Sequence, residues 1–198
     1  YNFERRIGLS GQYKTERILA NLGVFTDDIA ALSDDRNKSL SVDGRFVWMP
    51  RWGNTQFHLG ASGHWRRLGA LVGTNDTRYR QRTYLHSTDI RYLDTRLVPV
   101  RREIIYGGEF AMVRGPLSIA GEASWLHVIQ PGGTSGTFSG GYAEIGYFLT
   151  PGDSRTYKAG VWDRVVPKNP VDKGGIGAIQ VNLRYDRLDL IGGPTLRG

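Results

Sequence analysis

The stretch Leu40-Ser41-Val42-Asp43-Gly44-Arg45-Phe46-Val47-Trp48 decides the fold class. In an extended chain successive side chains point to opposite faces. Leu40, Val42, Gly44, Phe46 and Trp48 therefore share one face, and Ser41, Asp43 and Arg45 share the other. A turn follows at Pro50-Arg51-Trp52-Gly53-Asn54. Beyond it Phe57, Leu59, Ala61, Gly63 and Trp65 form an apolar face against Gln56, His58, Gly60, Ser62, His64 and Arg66. Two alternating runs joined by a short turn read as a β-hairpin.

The pattern recurs outward from this hairpin. Ile104, Tyr106, Gly108, Phe110 and Met112 oppose Glu103 and Glu109, and Arg114-Gly115-Pro116 makes a turn. Leu117, Ile119, Gly121, Ala123 and Trp125 return against Ser118, Glu122 and Ser124. Further on, Ala143, Ile145, Tyr147 and Leu149 alternate with Tyr142, Glu144 and Gly146, before a turn at Pro151-Gly152-Asp153. Ile179, Val181, Leu183 and Tyr185 alternate with Gln180, Asn182, Arg184 and Asp186. Longer polar connections fall at about residues 67–82 and in the Gly-rich 131–136 segment.

Strands of about 10 residues, joined alternately by short turns and longer loops, are the pattern of an outer-membrane β-barrel. Trp48, Trp52, Trp65, Trp125, Tyr147, Phe148 and Tyr185 stand near strand ends, where an interfacial girdle is expected. The apolar faces carry small residues (Gly44, Ala61, Gly63, Gly121, Ala123), which suit a lipid-facing wall better than a close-packed core. A soluble antiparallel sandwich also alternates. The Gly-rich apolar faces and the turn-and-loop rhythm favour the membrane barrel.

Composition narrows the function. The 198 residues contain no Cys, which excludes a disulfide scaffold and thiolate metal sites. No apolar run approaches the ~18 residues of a membrane-spanning helix. No signal peptide is visible in Tyr1-Asn2-Phe3-Glu4-Arg5-Arg6. With 26 Lys+Arg against 19 Asp+Glu the net charge is +7, which points to an anionic partner. A basic β-protein that binds nucleic acid would interleave aromatics with Lys and Arg on one sheet face. Here the aromatics lie mainly opposite the charges, so nucleic acid is not an expected partner.

Several segments resemble the bacterial phosphate-selective porins O and P. They are Thr88-Asp89-Ile90-Arg91-Tyr92-Leu93-Asp94-Thr95 with Tyr106-Gly107-Gly108-Glu109-Phe110-Ala111; Gly115-Pro116-Leu117-Ser118-Ile119-Ala120-Gly121-Glu122; and Gly141-Tyr142-Ala143-Glu144-Ile145-Gly146-Tyr147-Phe148-Leu149-Thr150 with Ser154-Arg155 and Arg164-Val165-Val166-Pro167-Lys168-Asn169-Pro170. Val24-Phe25-Thr26-Asp27-Asp28 and Leu59-Gly60-Ala61-Ser62 match more loosely. The resemblance implies an all-β antiparallel transmembrane β-barrel of about sixteen strands. It also implies a homotrimer, set among outer-membrane lipid and lipopolysaccharide, with a basic channel for phosphate-like anions. At ~20 residues per strand and connection, residues 1–198 supply about half of such a barrel. They are expected to be an internal part of one porin domain, with N- and C-terminal strands missing.

An anion pore replaces water around the ion with fixed positive charge and hydrogen-bond donors. Arg suits phosphate because its planar fork binds two oxygens and stays ionised. Arg78, Arg80 and Arg82 are spaced by two, so an extended backbone would aim them one way about 7 Å apart. The resembling porins carry an arginine ladder in about this part of the barrel, and Arg78, Arg80, Arg82 and Arg91 are its candidates. The competing reading is a solvated extracellular loop. Arg45, Arg66 and Arg184 lie on polar strand faces and would line the lumen, where Glu109, Glu122 and Glu144 are expected to pair with Arg.

No enzyme, cofactor or metal is expected. His58 and His64 share a face but would lie about 20 Å apart on an extended strand. Gly60-Ala61-Ser62-Gly63-His64 lacks the spacing of a nucleophile elbow. Asp27-Asp28 and Asp34-Asp35 read as solvated turns. The second functional class is an outer-membrane scaffold whose pore is incidental.

Overall fold

The structure, a computed structural model, describes residues 6–26, 39–69, 77–81 and 90–192. It is all-β and antiparallel. The strands are β1 (Gly8–Lys14), β2 (Ile18–Phe25), β3 (Leu40–Trp48), β4 (Arg51–Trp52), β5 (Thr55–Arg67), β6 (Arg78–Gln81) and β7 (Leu93–Leu97). They continue as β8 (Arg102–Arg114), β9 (Leu117–Ile129), β10 (Ser135–Phe148), β11 (Tyr157–Lys158), β12 (Val161–Trp162) and β13 (Gln180–Asp189). One short 3-10 turn spans Val171–Lys173.

The main sheet runs β1-β2-β3-β5-β8-β9-β10-β13, with β4 paired to β5. Neighbours in this sheet are also neighbours in the chain once the small hairpins are set aside, as in an up-and-down meander. Among the described residues the sheet is open, with β1 and β13 at its two ends. A 13-residue strand such as β5 or β8 reaches about 43 Å when extended, enough to cross a bilayer at the usual tilt.

Turn chemistry explains the tight ends. Between β8 and β9, Gly115 has φ +56 and Pro116 follows it. That order suits a type II′ turn, which needs a left-handed first residue and accepts Pro second. Pro50 has no N–H to give a ladder, and the pairing is interrupted there before Arg51 and Trp52 resume it against Gln56 and Thr55. Thr15 makes the β1–β2 turn: its Oγ1 accepts from Arg17 N and Ile18 N. The hairpin of β1 and β2 escaped the alternation reading, because its strands mix Gly, Leu and polar residues without a clean period of two.

Register carries the two-faced pattern across the sheet. Trp48, Leu59, Phe110, Gly121, Ala143 and Tyr185 form one continuous cross-strand row. The next row, on the other face, holds Val47, Gly60, Glu109, Glu122, Tyr142 and Asp186. On the first face Phe46, Trp48, Leu59, Tyr106, Phe110, Ile145, Tyr147 and Leu183 are all exposed, Leu183 to 73%. On the second face Ser41, His58, His64 and Glu103 are buried, none above 7%. Apolar side chains are bare and polar ones are covered, the inverse of a water-soluble sandwich.

The covering comes from the described parts of two connections, which lie over the polar face. Residues 68–100, which include the β6–β7 hairpin, contribute Leu68, Val98 and Val100 to a cluster with Val128 and Phe138; Tyr79, Leu126 and Leu190 pack against it. Residues 149–179 carry the β11–β12 hairpin, whose Tyr157 packs on Leu19, Val47 and Met49. The turn expected at Pro151-Gly152-Asp153 is present, with Gly152 at φ +82, but it opens this long excursion and does not lead directly into β13. Thr150 Oγ1 donates to Asp153, whose Oδ1 accepts from Lys168 N (2.7 Å), tying the start of the excursion to its return. These bonds hold the Asp153 carboxyl below its ordinary range.

Candidate anion pathway

Alternation on the main strands sends Arg45, Arg66 and Arg184 to the covered polar face. Arg45 binds Glu109 as a fork: Nε donates to Oε1 at 2.7 Å and Nη2 to Oε2 at 2.9 Å. Gly60 lies opposite Glu109 in the register. A Cβ at Gly60 would collide with the Glu109 side chain, so the missing side chain makes the room in which that carboxylate lies. His58 Nε2 stands 3.5 Å from Glu109 Oε2, and His58 Nδ1 hydrogen-bonds the Tyr157 hydroxyl. The β11–β12 hairpin is thus latched to the wall through a polar chain, Tyr157–His58–Glu109–Arg45. Burial pushes the Tyr157 hydroxyl up to about 12, so it stays protonated and able to donate.

Arg184 is held by Asp186 (Nη2 to Oδ1, 2.9 Å) and Glu144 (Nη1 to Oε2, 3.4 Å), and its guanidinium lies 3.7 Å from the centre of the Tyr142 ring. Arg66 Nη1 is 3.9 Å from Glu103 Oε2. Two of the three carboxylates expected to pair with Arg do so, Glu109 and Glu144. Glu122 instead accepts from the Tyr142 hydroxyl at 3.3 Å.

Near Arg45 the polar face is hollow. A groove of about 410 Å³ is lined by Gln12, Asn21, Asp43, Arg45, Ser62 and His64 among others. At its edge Arg6 donates to Asp43 Oδ2 (3.3 Å), and His64 Nδ1 hydrogen-bonds Asp43 Oδ1. The two histidines read together from the sequence therefore serve different carboxylates.

The Arg-rich connection has a different geometry. Arg78 and Arg80 are exposed on β6, with the half-buried Tyr79 between them. Tyr79 enters the apolar cluster, its ring centroid 5.4 Å from that of Phe138, and its hydroxyl donates to Glu103. Burial and the neighbouring Glu103 carboxylate raise its pKa, so it stays neutral. Since alternate side chains oppose each other, anchoring Tyr79 on the wall turns Arg78 and Arg80 away from it. Arg78 Nε donates to Asp94 Oδ1 (2.7 Å) and Nη2 to Oδ2, which lowers the Asp94 carboxyl to about 2.

Pairing of β6 with β7 shifts register between Arg78, opposite Leu97, and Arg80, opposite Asp94. The extra residue sits in β7, where Arg96 takes φ +58, so β6 itself keeps its alternation. Arg91 is half-buried just ahead of β7. Arg82, His86, Asp27, Asp28, Asp34 and Asp35 lie outside the described residues.

The β11–β12 latch was not legible in the sequence. Its only local signal is Ala159-Gly160 between Tyr157 and Trp162, a two-residue turn with both φ values positive.

An antiparallel meander with a bare apolar face and a covered, charged face has the pattern of a membrane β-barrel wall. A family profile described as phosphate-selective porin O and P matches residues 1–194, and the chain belongs to that family. It is similar to an "Uncharacterized protein" of Caulobacter vibrioides (strain ATCC 19089 / CIP 103742 / CB 15), with 47% identity over 198 residues, 96% of this chain. The chain spans 40% of that relative's length. Membership indicates the bacterial outer membrane as its setting.

Proposed function

We propose that residues 1–198 form an internal part, about half, of a single porin barrel of about sixteen strands. The barrel assembles as a homotrimer amid lipid and lipopolysaccharide. It passes small anions, phosphate or polyphosphate, by diffusion through a water-filled, arginine-lined channel. The open sheet of eight main strands among the described residues supports this size, since both of its ends have unpaired edges for further strands.

The observation that carries the anion reading is the attachment of β6. Tyr79 fastens the strand to the polar face, and the alternation of the chain turns Arg78 and Arg80 from the wall toward the space the barrel would enclose. Arg91 belongs to the same cationic path, and Arg82, outside the described residues, is a candidate for it by sequence alone; anions step along it by exchanging water for guanidinium N–H donors. Arg45, Arg66 and Arg184 line the wall, their charge shared with Glu109, Glu103, Asp186 and Glu144.

The test is the full-length protein in planar bilayers, with Arg78→Gln/Arg80→Gln beside the wild type. The expected result is anion preference in the reversal potential and conductance block by phosphate, both weakened in the variant. Cation preference in the wild type, or equal phosphate block in both proteins, would overturn the reading.

A further inference from the structure

The bare apolar face carries a pair of facing arginines that nothing in the anion pathway uses. Arg67, at the end of β5, and Arg102, at the start of β8, are direct partners in the register. Both share the parity of Trp65 and Ile104, so they stand on the apolar face, in a row with Leu40 and Ile129. Arg102 lies 6.0 Å from the Trp65 ring centre. Opposed side chains in an antiparallel pair have Cβ atoms about 5 Å apart, and like charges there repel.

Neither arginine has an acidic partner among the described residues. Another arginine of this face, Arg187, has Asp189 at 3.8 Å. An opposed cationic pair persists at low cost when an anion bridges it. Two register-paired guanidinium forks, one of them over the Trp65 ring, at the rim of an apolar wall suit a phosphate on a lipid: the forks take the oxygens and the apolar wall below takes the chains.

We propose that Arg67 and Arg102 form a binding site for the phosphate group of an anionic membrane lipid, in the leaflet that meets this end of the barrel. The site rests on the outer-membrane reading and is independent of what the pore conducts. Arg114 supplies an internal control. It stands on the same face at the other end of the sheet, opposite Thr55 and Leu117, with no second arginine beside it in the register.

The test uses the full-length protein, purified in neutral detergent and analysed by native mass spectrometry. The probes are a bisphosphorylated lipid A, the same lipid without phosphates, and inorganic phosphate as competitor. Wild type is expected to retain the phosphorylated lipid, and Arg67→Gln/Arg102→Gln to retain it about tenfold less. Arg114→Gln should match wild type, and heat-induced mobility on gels identifies any variant that misfolds. Equal retention by wild type and a folded double variant would overturn the proposal, as would equal retention of the two lipids. Displacement of the lipid by millimolar phosphate would overturn it too, in favour of a free-anion site. Conductance of the same preparations keeps this outcome separate from failure of the anion pathway.

Discussion

Arg45 on β3 and Glu109 on β8 are 64 residues apart in sequence and meet across β5 as a two-bond fork, 2.7 and 2.9 Å. The strand between them contributes Gly60 at the crossing point. The fork does two things at once. It removes one positive charge from the polar face, and it fixes the carboxylate that His58 and, through it, Tyr157 lean on.

Replacing Glu109 with Gln should release that charge. Anion-over-cation permeability should rise, read as a shift in reversal potential across a salt gradient. Stability should fall by about 1–2 kcal/mol, because a half-buried guanidinium loses its charged acceptor. An unchanged reversal potential would mean that Arg45 lies outside the ion path.

Gly60→Val should reproduce the charge effect by another route. The new side chain takes the space of the Glu109 carboxylate and pushes it off Arg45. Overpacking should cost about 1–3 kcal/mol in urea unfolding followed by gel mobility. A reversal potential like that of Glu109→Gln would tie the two residues to one mechanism.

Tyr79→Ala should free the β6–β7 hairpin without undoing the sheet. The lost ring packing against the Phe138 cluster is worth about 3 kcal/mol to the hairpin's attachment. Hydrogen exchange should accelerate in β6 and β7 and stay slow in β8, β9 and β10. Uniform acceleration through the sheet would show that the hairpin is integral to the wall.

Asp94 predicts an acid dependence. Its folded carboxyl is depressed to about 2 by the Arg78 hydrogen bonds. A depressed carboxyl contributes stability above its ordinary range, and the contribution is lost as pH falls toward the folded value. Pepsin cleavage between residues 77 and 97 should therefore rise from pH 4 down to pH 2. Asp94→Asn should abolish that pH dependence and cleave fast throughout. A wild-type rate that tracks the variant at every pH would remove Asp94–Arg78 as a clasp.

The sequence by itself determined the class of wall. Alternation is a local property: from Leu40 to Trp48, from Ile104 to Met112 and, with the parity reversed by the intervening turn, from Leu117 to Trp125, each residue's face follows from its parity within the strand. Parity also set Arg45, Arg66 and Arg184 on the polar face. The expected partners Glu109 and Glu144 followed from the same rule, although Glu122 found Tyr142 instead. Only tertiary structure decided where the connections go. The β6–β7 hairpin and residues 149–179 lie over the polar face because Tyr79 and Tyr157 find buried clusters and carboxylate or imidazole partners there, on strands tens of residues away. No short-range period encodes such contacts. The facing of Arg78 and Arg80 is thus a consequence of where Tyr79 is buried, and the meeting of Arg67 with Arg102 a consequence of strand register.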